Sequence, residues 1–359
     1  MNAAGNELVF TDAFIEQLHD QLAGATDRIY IQVMTFDGDA AGLGVAQLLI
    51  DAAGRGVEVQ LAVDSFAFRY VSDVKVNKQR TPPEIVEEAA ATHAMFDRME
   101  AAGVDVTYIN PFGAVLQWGP LRNHKKIYVI DDQAYIGGIN ISDHNFAWLD
   151  FNVAVEAPEL VSILVEDFQR TRRGERRAVD GPFVTNEFVE ATFVELMESA
   201  VESIVIASPY ALDATLARRL GEVSAPRKVI VAPQRNNFRT FRVSDQYVRE
   251  RMAAQGVELR TFTQFFHAKF AIFDSRRVFV GSPNFGLHSF RCNQEIGMVI
   301  EDAAVVAQFE DMVSQTESVT ASTSPFGYAL GGFVSSYIKA GTLFFSKVVS
   351  PYAPTLTNR

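Results

Sequence analysis

The chain has 359 residues, of which 48 % are hydrophobic and 21 % are charged, so it can bury a sizeable core and is not a disordered chain. Its net charge of −12 argues against a protein that grips nucleic acid through a broad basic surface. The single cysteine, Cys292, excludes an internal disulfide and fits a reducing cytoplasm. We expect no secretory signal in the first ten residues and no membrane-spanning helix.

Strands and helices are predicted to alternate along the chain. The sequence DRIYIQVMTF (27–36) predicts a strand, GVAQLLIDAAGRG (44–56) a helix that ends at glycine, and VEVQLAVD (57–64) a second strand. The same strand–helix–strand order returns in the second half, at 202–210, 211–223 and 227–233. This alternation predicts an α/β architecture.

The second half also repeats the first in detail. RMEAAGVDVTY (98–108) and RMAAQGVELRT (251–261) each predict a helix end, a glycine stop and a strand. The repetition predicts an internal duplication, with one half at 1–175 and the other at 183–320. The arginine-rich stretch between them, 170–182, is predicted to be a solvated linker, with phosphate binding as the alternative.

Two stretches with the same spacing carry most of the functional information. They are HKKIYVID at 124–131 and HAKFAIFD at 267–274. Because residues i and i+2 of a strand share a face, His124 projects with Lys126, and His267 with Lys269. Asp131 and Asp274 lie at an odd offset from their histidines, so we interpret them as turn or scaffold residues.

Each stretch is followed by a predicted second strand, AYIGGIN or VFVGSPN. If residue 130 pairs with 134 and residue 273 with 278, the hairpin loops have three and four residues. His124 then faces Asn140, and His267 faces Asn284. Such a set can bind a phosphate, because lysine supplies charge, asparagine a donor, and histidine a nucleophile or proton donor.

The sequences HKKIYVID…GGIN and HAKFAIFD…GSPN resemble the paired HKD motifs of the phospholipase D superfamily, and the likeness covers about residues 25–315. The resemblance implies a duplicated phospholipase D fold, in which two β-sheet halves flanked by helices pack with pseudo-twofold symmetry and the two motifs meet in one active site. It also implies that one histidine attacks the phosphodiester phosphorus and forms a phosphohistidine. The other protonates the leaving alcohol and then activates water or an acceptor alcohol.

Carried onto this chain, His124 would be the nucleophile and His267 the acid and base, although the sequence does not decide the order. No metal or cofactor is implied, because the lysines and asparagines hold the phosphate charge. The resemblance further implies a carboxylate that orients each histidine, and Asp150 and Glu295 are the candidates. His144 and His288 are expected to pack or cap beside the site.

Two segments suggest a phospholipid substrate at a membrane surface. The loop at 110–123 is apolar, and the tail at 326–350 predicts an amphipathic helix that lies in the bilayer surface. Its apolar face would hold Leu330, Val334, Tyr337, Gly341, Phe345 and Val348, and its polar face Ser335, Lys339, Thr342 and Ser346. A helix docked on the protein, or a dimer contact, is the alternative.

These observations predict a phosphatidyltransferase that resembles bacterial cardiolipin synthases and is held peripherally on the inner membrane. Its partners would be a phospholipid and an acceptor, which is water, glycerol or phosphatidylglycerol, and nucleic acid is not expected. Hydrolysis to phosphatidic acid, a nuclease of the same superfamily and a catalytically silent lipid-binding scaffold stay open as alternatives.

Overall fold

A computed structural model describes residues 6–77, 80–112, 120–177, 181–210, 213–234, 242–321, 324–349 and 356–357. These residues form two compact units. The first takes in the described residues up to Gly181 and the short segment 356–357, and the second runs from Pro182 to residue 349. The tail helix that the sequence sets apart at 326–350 belongs to the second unit.

The first unit contains strands and helices in alternation. In chain order they are β1 (Asn6–Phe10), α1 (Thr11–Gly24), β2 (Arg28–Val33), α2 (Ala40–Gly54), β3 (Glu58–Asp64), β4 (Tyr70–Val71), β5 (Val74–Lys75), α3 (Pro83–Ala101), β6 (Asp105–Ile109), β7 (Ile127–Ile130), β8 (Gln133–Gly137), α4 (Asp143–Phe146), β9 (Phe151–Val155) and α5 (Pro158–Arg172).

The second unit repeats this alternation and ends in a long helix. Its elements are β10 (Phe183–Thr185), α6 (Val189–Ser199), β11 (Ser203–Ala207), α7 (Ala214–Glu222), β12 (Arg227–Val231), α8 (Arg242–Ala254), β13 (Glu258–Thr261), β14 (Phe270–Phe273), β15 (Arg277–Gly281), α9 (Leu287–Cys292), β16 (Ile296–Ile300), α10 (Ala303–Ser314), β17 (Glu317–Ser318) and α11 (Pro325–Phe344). A π-helical turn, Phe345–Val349, continues α11, and β18 (Leu356–Thr357) returns to the first unit.

The main sheets of the two units have matching strand orders. In the first unit the order is β1-β9-β8-β7-β2-β3-β6-β18, and in the second it is β10-β16-β15-β14-β11-β12-β13-β17. In both sheets three consecutive strands are parallel, namely β2-β3-β6 and β11-β12-β13, and the remaining pairs are antiparallel. The predicted α/β fold with an internal duplication is confirmed.

The central strands are apolar on both faces because helices cover both faces of the sheet. In β2, Ile29 and Ile31 join the core formed with α1, α2 and α3. Between them Tyr30 points the other way and stacks on Phe168 of α5, with ring centroids 5.1 Å apart. A strand that is buried on both sides therefore reads as an apolar run in the sequence, as RIYIQV does.

The glycine stops predicted in the two repeated segments, 98–108 and 251–261, follow their helices as expected. Gly103, after α3, has φ +93°, and Gly256, after α8, has φ +78°. This left-handed conformation is costly for residues with a Cβ atom, so glycine ends the helix and turns the chain into β6 or β13.

Candidate active site

The first motif enters the sheet at the strand that pairs with β2. His124 and Lys126 lie just before β7, and both side chains are buried. The Nζ atom of Lys126 donates a hydrogen bond of 2.7 Å to the backbone oxygen of His124. Gln32 forms the last pair of the β2–β7 ladder with Ile127, and its side-chain amide donates to Oδ1 of Asn123, the residue before His124, at 3.0 Å. The end of β2 therefore forms one wall of this site.

The predicted hairpin registers are wrong by one residue in both units. Ile130 pairs with Gln133 instead of residue 134, and Phe273 pairs with Arg277 instead of residue 278. The loops consequently have two and three residues. Asp131 and Asp274 take up left-handed φ values of 49° and 54°, which tighten the turns. Continued strand pairing would place residue 139, and not Asn140, opposite His124.

Asn140 reaches the end of β2 by its side chain. Its Oδ1 atom accepts hydrogen bonds from the backbone N–H groups of Met34 and Thr35, at 3.2 and 3.3 Å. Its amide nitrogen donates to Oδ1 of Asn145 at 3.4 Å. These bonds fix the orientation of the amide group at the end of β2.

Asp150 is buried against a glycine of the same motif. It lies at the start of β9, where its Oδ1 accepts from the N–H group of Phe151 at 2.8 Å. A Cβ atom on Gly138 would lie 2.4 Å from one carboxylate oxygen of Asp150. The second glycine of GGIN therefore makes room for this carboxylate.

In the second unit the lysine contacts the histidine ring directly. Lys269 Nζ lies 2.8 Å from Nδ1 of His267 and also donates to its backbone oxygen. Both side chains are buried. The ammonium group thus holds the imidazole ring in place, a contact that the strand spacing alone does not predict.

The second asparagine is held differently from the first. Since Ile29 pairs with Ile130 and Ile204 pairs with Phe273, the residue that corresponds to Met34 is Pro209. Proline has no N–H group to donate. Accordingly the buried Oδ1 atom of Asn284 has no hydrogen-bond donor among the described residues.

Glu295 is buried directly before β16 and is enclosed by small polar side chains. Its two carboxylate oxygens accept hydrogen bonds from the hydroxyl groups of Ser282 and Ser289, and Asn293 donates to it at 3.1 Å. Ser282 occupies the GSPN position that corresponds to Gly138 in GGIN. The second unit therefore has a glutamate and a serine at the positions where the first unit has an aspartate, Asp150, and a glycine, Gly138.

The two motif aspartates bind backbone N–H groups at the hairpin turns. Asp131 accepts from Thr26, Asp27 and Arg28, and Asp274 accepts from Val201, Glu202 and Ser203. Burial opposes their charge, but these N–H donors outweigh it and hold the pKa of both carboxyl groups below the ordinary value. Each aspartate joins its hairpin turn to the start of a central strand.

Comparison with known proteins identifies the family. The family model described as "Cardiolipin synthase, PLD-like domain" matches residues 18–172 and 193–316. The chain belongs to this family. It is therefore an enzyme of the phospholipase D superfamily.

Curated relatives in this PLD-like family carry the same description. "Probable cardiolipin synthase YwiE" of Bacillus subtilis (strain 168) is 25 % identical over 375 residues, covering 90 % of this chain and 68 % of the relative. "Cardiolipin synthase A" of Pseudomonas aeruginosa (strain UCBPP-PA14) is 25 % identical over 340 residues, covering 85 % and 65 %. The chain thus spans about two thirds of the length of these relatives.

Solved structures agree on the fold. Phosphatidylserine synthase from Haemophilus influenzae Rd KW20 has a TM-score of 0.71 at 14 % identity, with 96 % of this chain and 95 % of that chain covered. Polyphosphate kinase from Porphyromonas gingivalis has a TM-score of 0.60 at 12 % identity, covering 94 % and 56 %. At these identities the likeness concerns the PLD-like fold alone.

Buried ion pairs around the first PLD-like motif were missed by the sequence reasoning. Lys125, between His124 and Lys126, has its Nζ atom 2.8 Å from both carboxylate oxygens of Asp167 on α5. Arg122 pairs with Asp64 at 2.7 Å. The only sequence signal was a second charged residue in HKK, on a strand that is otherwise apolar. These pairs anchor the segment that leads into β7.

An acidic cluster beside Asn140 was also missed. One oxygen each of Asp37 and Asp39 and a ring nitrogen of His144 lie within 4.8 Å of one another. Burial, followed by repulsion from neighbouring carboxylates, raises the pKa of the Asp37 and Asp39 carboxyl groups, that of Asp37 well above its ordinary value. The sequence reasoning assigned no metal ligand and expected His144 only to pack or cap. His288, its counterpart, is exposed.

The polar face that we predicted for the tail helix is its docking face. Ser335 and Thr342 are buried, and so is Gly331, where a Cβ atom would lie 2.5 Å from the backbone oxygen of Val243 in α8. Small side chains allow this close approach of two helices. The prediction that Ser335 and Thr342 face water is therefore wrong.

The opposite side of α11 exposes large apolar side chains. They are Phe326, Leu330, Phe333, Tyr337 and Phe344. Of the other predicted contact segment, 110–123, Phe112 and Leu121 are buried, and residues 113–119 lie outside the described residues. Within the described residues no helix has both the length and the hydropathy needed to cross a bilayer.

Proposed function

We propose that this enzyme transfers a phosphatidyl group from one phospholipid to an alcohol, as a cardiolipin synthase does. The observation that carries the proposal is the repetition, in both units, of one set made of a histidine, a lysine, an asparagine and a carboxylate, all of them buried except the half-buried Asn284. Its family and its curated relatives, which are named cardiolipin synthases, support the same reaction.

The proposed reaction has two steps. First, a nitrogen of His124 attacks phosphorus and forms a P–N bond, while the bond to the leaving alcohol breaks and His267 gives that alcohol a proton. Next, His267 takes a proton from the acceptor alcohol, whose oxygen attacks phosphorus and breaks the P–N bond. Atoms and charges balance, because the proton lent in the first step is recovered in the second.

The remaining motif residues would hold charge and orientation. The ammonium groups of Lys126 and Lys269 would stabilise the phosphate oxygens in the transition state, and the amides of Asn140 and Asn284 would add donors. Asp150 and Glu295 would accept from the second ring nitrogen of their histidines and stabilise the imidazolium form. The different settings of Asn140 and Asn284 are consistent with a division of labour between the two motifs.

The products of a mixed phospholipid substrate test the proposal. We expect mass spectrometry to find diphosphatidylglycerol and free glycerol when phosphatidylglycerol is the substrate. His124→Ala and His267→Ala should each lower the rate by about 10³-fold or more, whereas the control His288→Ala, at an exposed histidine, should not. Phosphatidic acid alone would mean a hydrolase, and cleaved DNA with intact lipid would mean a nuclease.

We also propose that the exposed side of α11 contacts the membrane. Phe333 and Tyr337 are 71 % and 74 % exposed, an unusual state for large apolar side chains that suits insertion into lipid. The described segment 324–349 carries Lys339 and Lys347 and no carboxylate, although the whole chain has a net charge of −12. This local positive charge favours anionic lipid.

Liposome flotation tests this contact. Burying a phenylalanine side chain contributes about 1.5–3 kcal/mol, so Phe333→Ser with Tyr337→Ser should weaken binding to anionic liposomes by about 100-fold. Ser336→Ala, at an exposed position of the same helix, is the control and should bind as the parent does. Unchanged flotation of the double variant would rule out this face as the membrane contact.

A further inference from the structure

Side chains with oxygen and nitrogen ligand atoms converge beside the end of β2 from several separate elements. They come from the β2–α2 turn, the β4–β5 turn, α3 and α4, and are Asp37, Asp39, Asp73, Glu88, Asp143 and His144. Residues 37 and 144 are far apart in the chain, so the fold itself assembles this group. The proposed transfer reaction assigns it no role.

Asp37 is the buried member of the group. Its side chain is only 1 % exposed, and one oxygen, Oδ2, accepts from the N–H group of Ser72 at 3.2 Å. The other oxygen, Oδ1, is buried and has no hydrogen-bond partner among the described residues. A buried carboxylate oxygen without a donor is unfavourable, and the neighbouring carboxylates add repulsion.

The geometry around Asp37 suits a metal ion. Asp37, Asp39 and His144 each offer one ligand atom, and these atoms lie within 4.8 Å of one another. Ligands at about 2.0–2.2 Å from a common ion lie roughly 3 Å apart, so atoms at the 4.8 Å limit would have to close by nearly 2 Å. Nδ1 of His144 lies 4.0 Å from Oδ2 of Asp37 and 3.0 Å from Ser142 Oγ, while Nε2 lies 2.9 Å from the amide nitrogen of Asn145. Binding through Nδ1 would exchange the Ser142 contact for the ion, and the Asn145 contact at Nε2 would hold the ring.

We propose that Asp37, Asp39 and His144 bind a divalent transition-metal ion such as Zn²⁺ or Mn²⁺. The mixture of imidazole and carboxylate ligands selects this class over Mg²⁺, which prefers oxygen ligands alone. Asp73, whose carboxylate lies 3.9 Å from the His144 ring, is placed to supply a further oxygen.

The ion would have a positioning role. The N–H group of Asp37 donates to the backbone oxygen of Ile141, the residue after Asn140, and Asn140 in turn binds Met34 and Thr35. An ion bound by Asp37 and His144 ties the β2–α2 turn to α4. It thereby holds both segments that contact the Asn140 side chain, without touching the phosphate.

Melting temperatures of the full chain test the site without any activity assay. The protein is treated with chelator, dialysed, and melted at pH 7 with Zn²⁺, Mn²⁺ or Mg²⁺. We expect Zn²⁺ or Mn²⁺ to raise the melting temperature by about 5–10 °C when the free ion exceeds its dissociation constant about 100-fold. Titration calorimetry should find one ion per chain.

Variants identify the ligands. Asp37→Asn and His144→Ala should each lose the response to the ion. Asp37→Asn should also melt at or above the ion-free parent, because it removes a buried charge. Glu87→Gln, an equal charge change at an exposed position of α3, is the control and should keep the response.

Several results would overturn the site. No rise of the parent's melting temperature with any of the three ions would mean that Asp37 does not bind a metal ion. A full response in Asp37→Asn, or an equal response to Mg²⁺ that survives His144→Ala, would equally rule out the proposed ligand set. None of these results bears on phosphatidyl transfer, which is measured by its own products.

Discussion

The neighbouring lysines of the first motif are expected to have different roles, and breaking one ion pair separates them. Lys125 is 1 % exposed and Asp167 is 2 % exposed, with Nζ 2.8 Å from both carboxylate oxygens. Asp167→Leu leaves the ammonium group buried and unpaired, which typically costs about 3–5 kcal/mol. At about 2–4 °C for each kcal/mol, the melting temperature should fall by roughly 6–20 °C.

Removing both charges should restore most of this stability. Replacing a buried ion pair by apolar side chains is often neutral or stabilising, so Lys125→Met with Asp167→Leu should melt near the parent. Its transferase activity should stay within about 10-fold, because Lys126 and not Lys125 is assigned to the phosphate. Thermal unfolding of the parent, both single variants and the double variant gives the coupling energy of the pair.

Two outcomes would refute this reasoning. A double variant as unstable as Asp167→Leu would mean that the cost does not come from an unpaired charge. A folded double variant that loses activity by 10³-fold or more, as expected for Lys126→Met, would mean that the charge of Lys125 acts in the site.

Three further predictions follow from single contacts. Gly138→Ala should lower turnover by about 10-fold or more, because its Cβ atom would lie 2.4 Å from the Asp150 carboxylate. The control Gly24→Ala, whose Cβ atom would have no atom within 4 Å, should leave turnover unchanged. Asp131 has a lowered pKa, so its carboxylate stabilises fully above the ordinary value of about 4 and loses this effect as the pH falls through the lower folded value. Asp131→Asn should therefore melt below the parent at pH 7, and the gap should narrow as the pH falls below the ordinary value of about 4. A gap of equal size at pH 7 and at the lowest pH where the parent stays folded would contradict this. Gly331→Leu should undock α11 and expose it to protease, since a Cβ atom at position 331 already meets Val243. Gly341→Ala, with open space around it, is the control. Equal protease resistance of the two variants would contradict the docking.

Much of the fold could be predicted from local patterns. Apolar runs located β2, β11 and β12, because central strands covered on both faces are rich in apolar residues, whereas β3 was located by its alternation of polar and apolar residues. The hairpin registers could not be predicted, because they depend on how tightly Asp131 and Asp274 turn. A loop of two instead of three residues shifts every pair in the ladder by one.

The tail helix and the acidic cluster escaped the sequence reasoning for different reasons. Amphipathic logic assumes that polar residues face water, but in α11 the small size of Gly331, Ser335 and Thr342 matters more than polarity, since it permits close packing on α8. In the cluster, Asp37 and His144 are separated by more than a hundred residues. No short-range spacing could have joined them.

A covalent intermediate is the step on which the proposed transfer depends most directly. It can be sought with a phosphatidyl ester of p-nitrophenol, a leaving group that needs no protonation. In His267→Ala the first step should then proceed and the second should stall. We predict a burst of about one equivalent of p-nitrophenolate and, by peptide mass spectrometry, a phosphatidyl adduct on His124, with neither in His124→Ala. An adduct on His267 in His124→Ala would mean that the two histidines have the opposite roles. If the parent turns over but neither histidine carries an adduct in any of the three proteins, the phosphohistidine mechanism is contradicted.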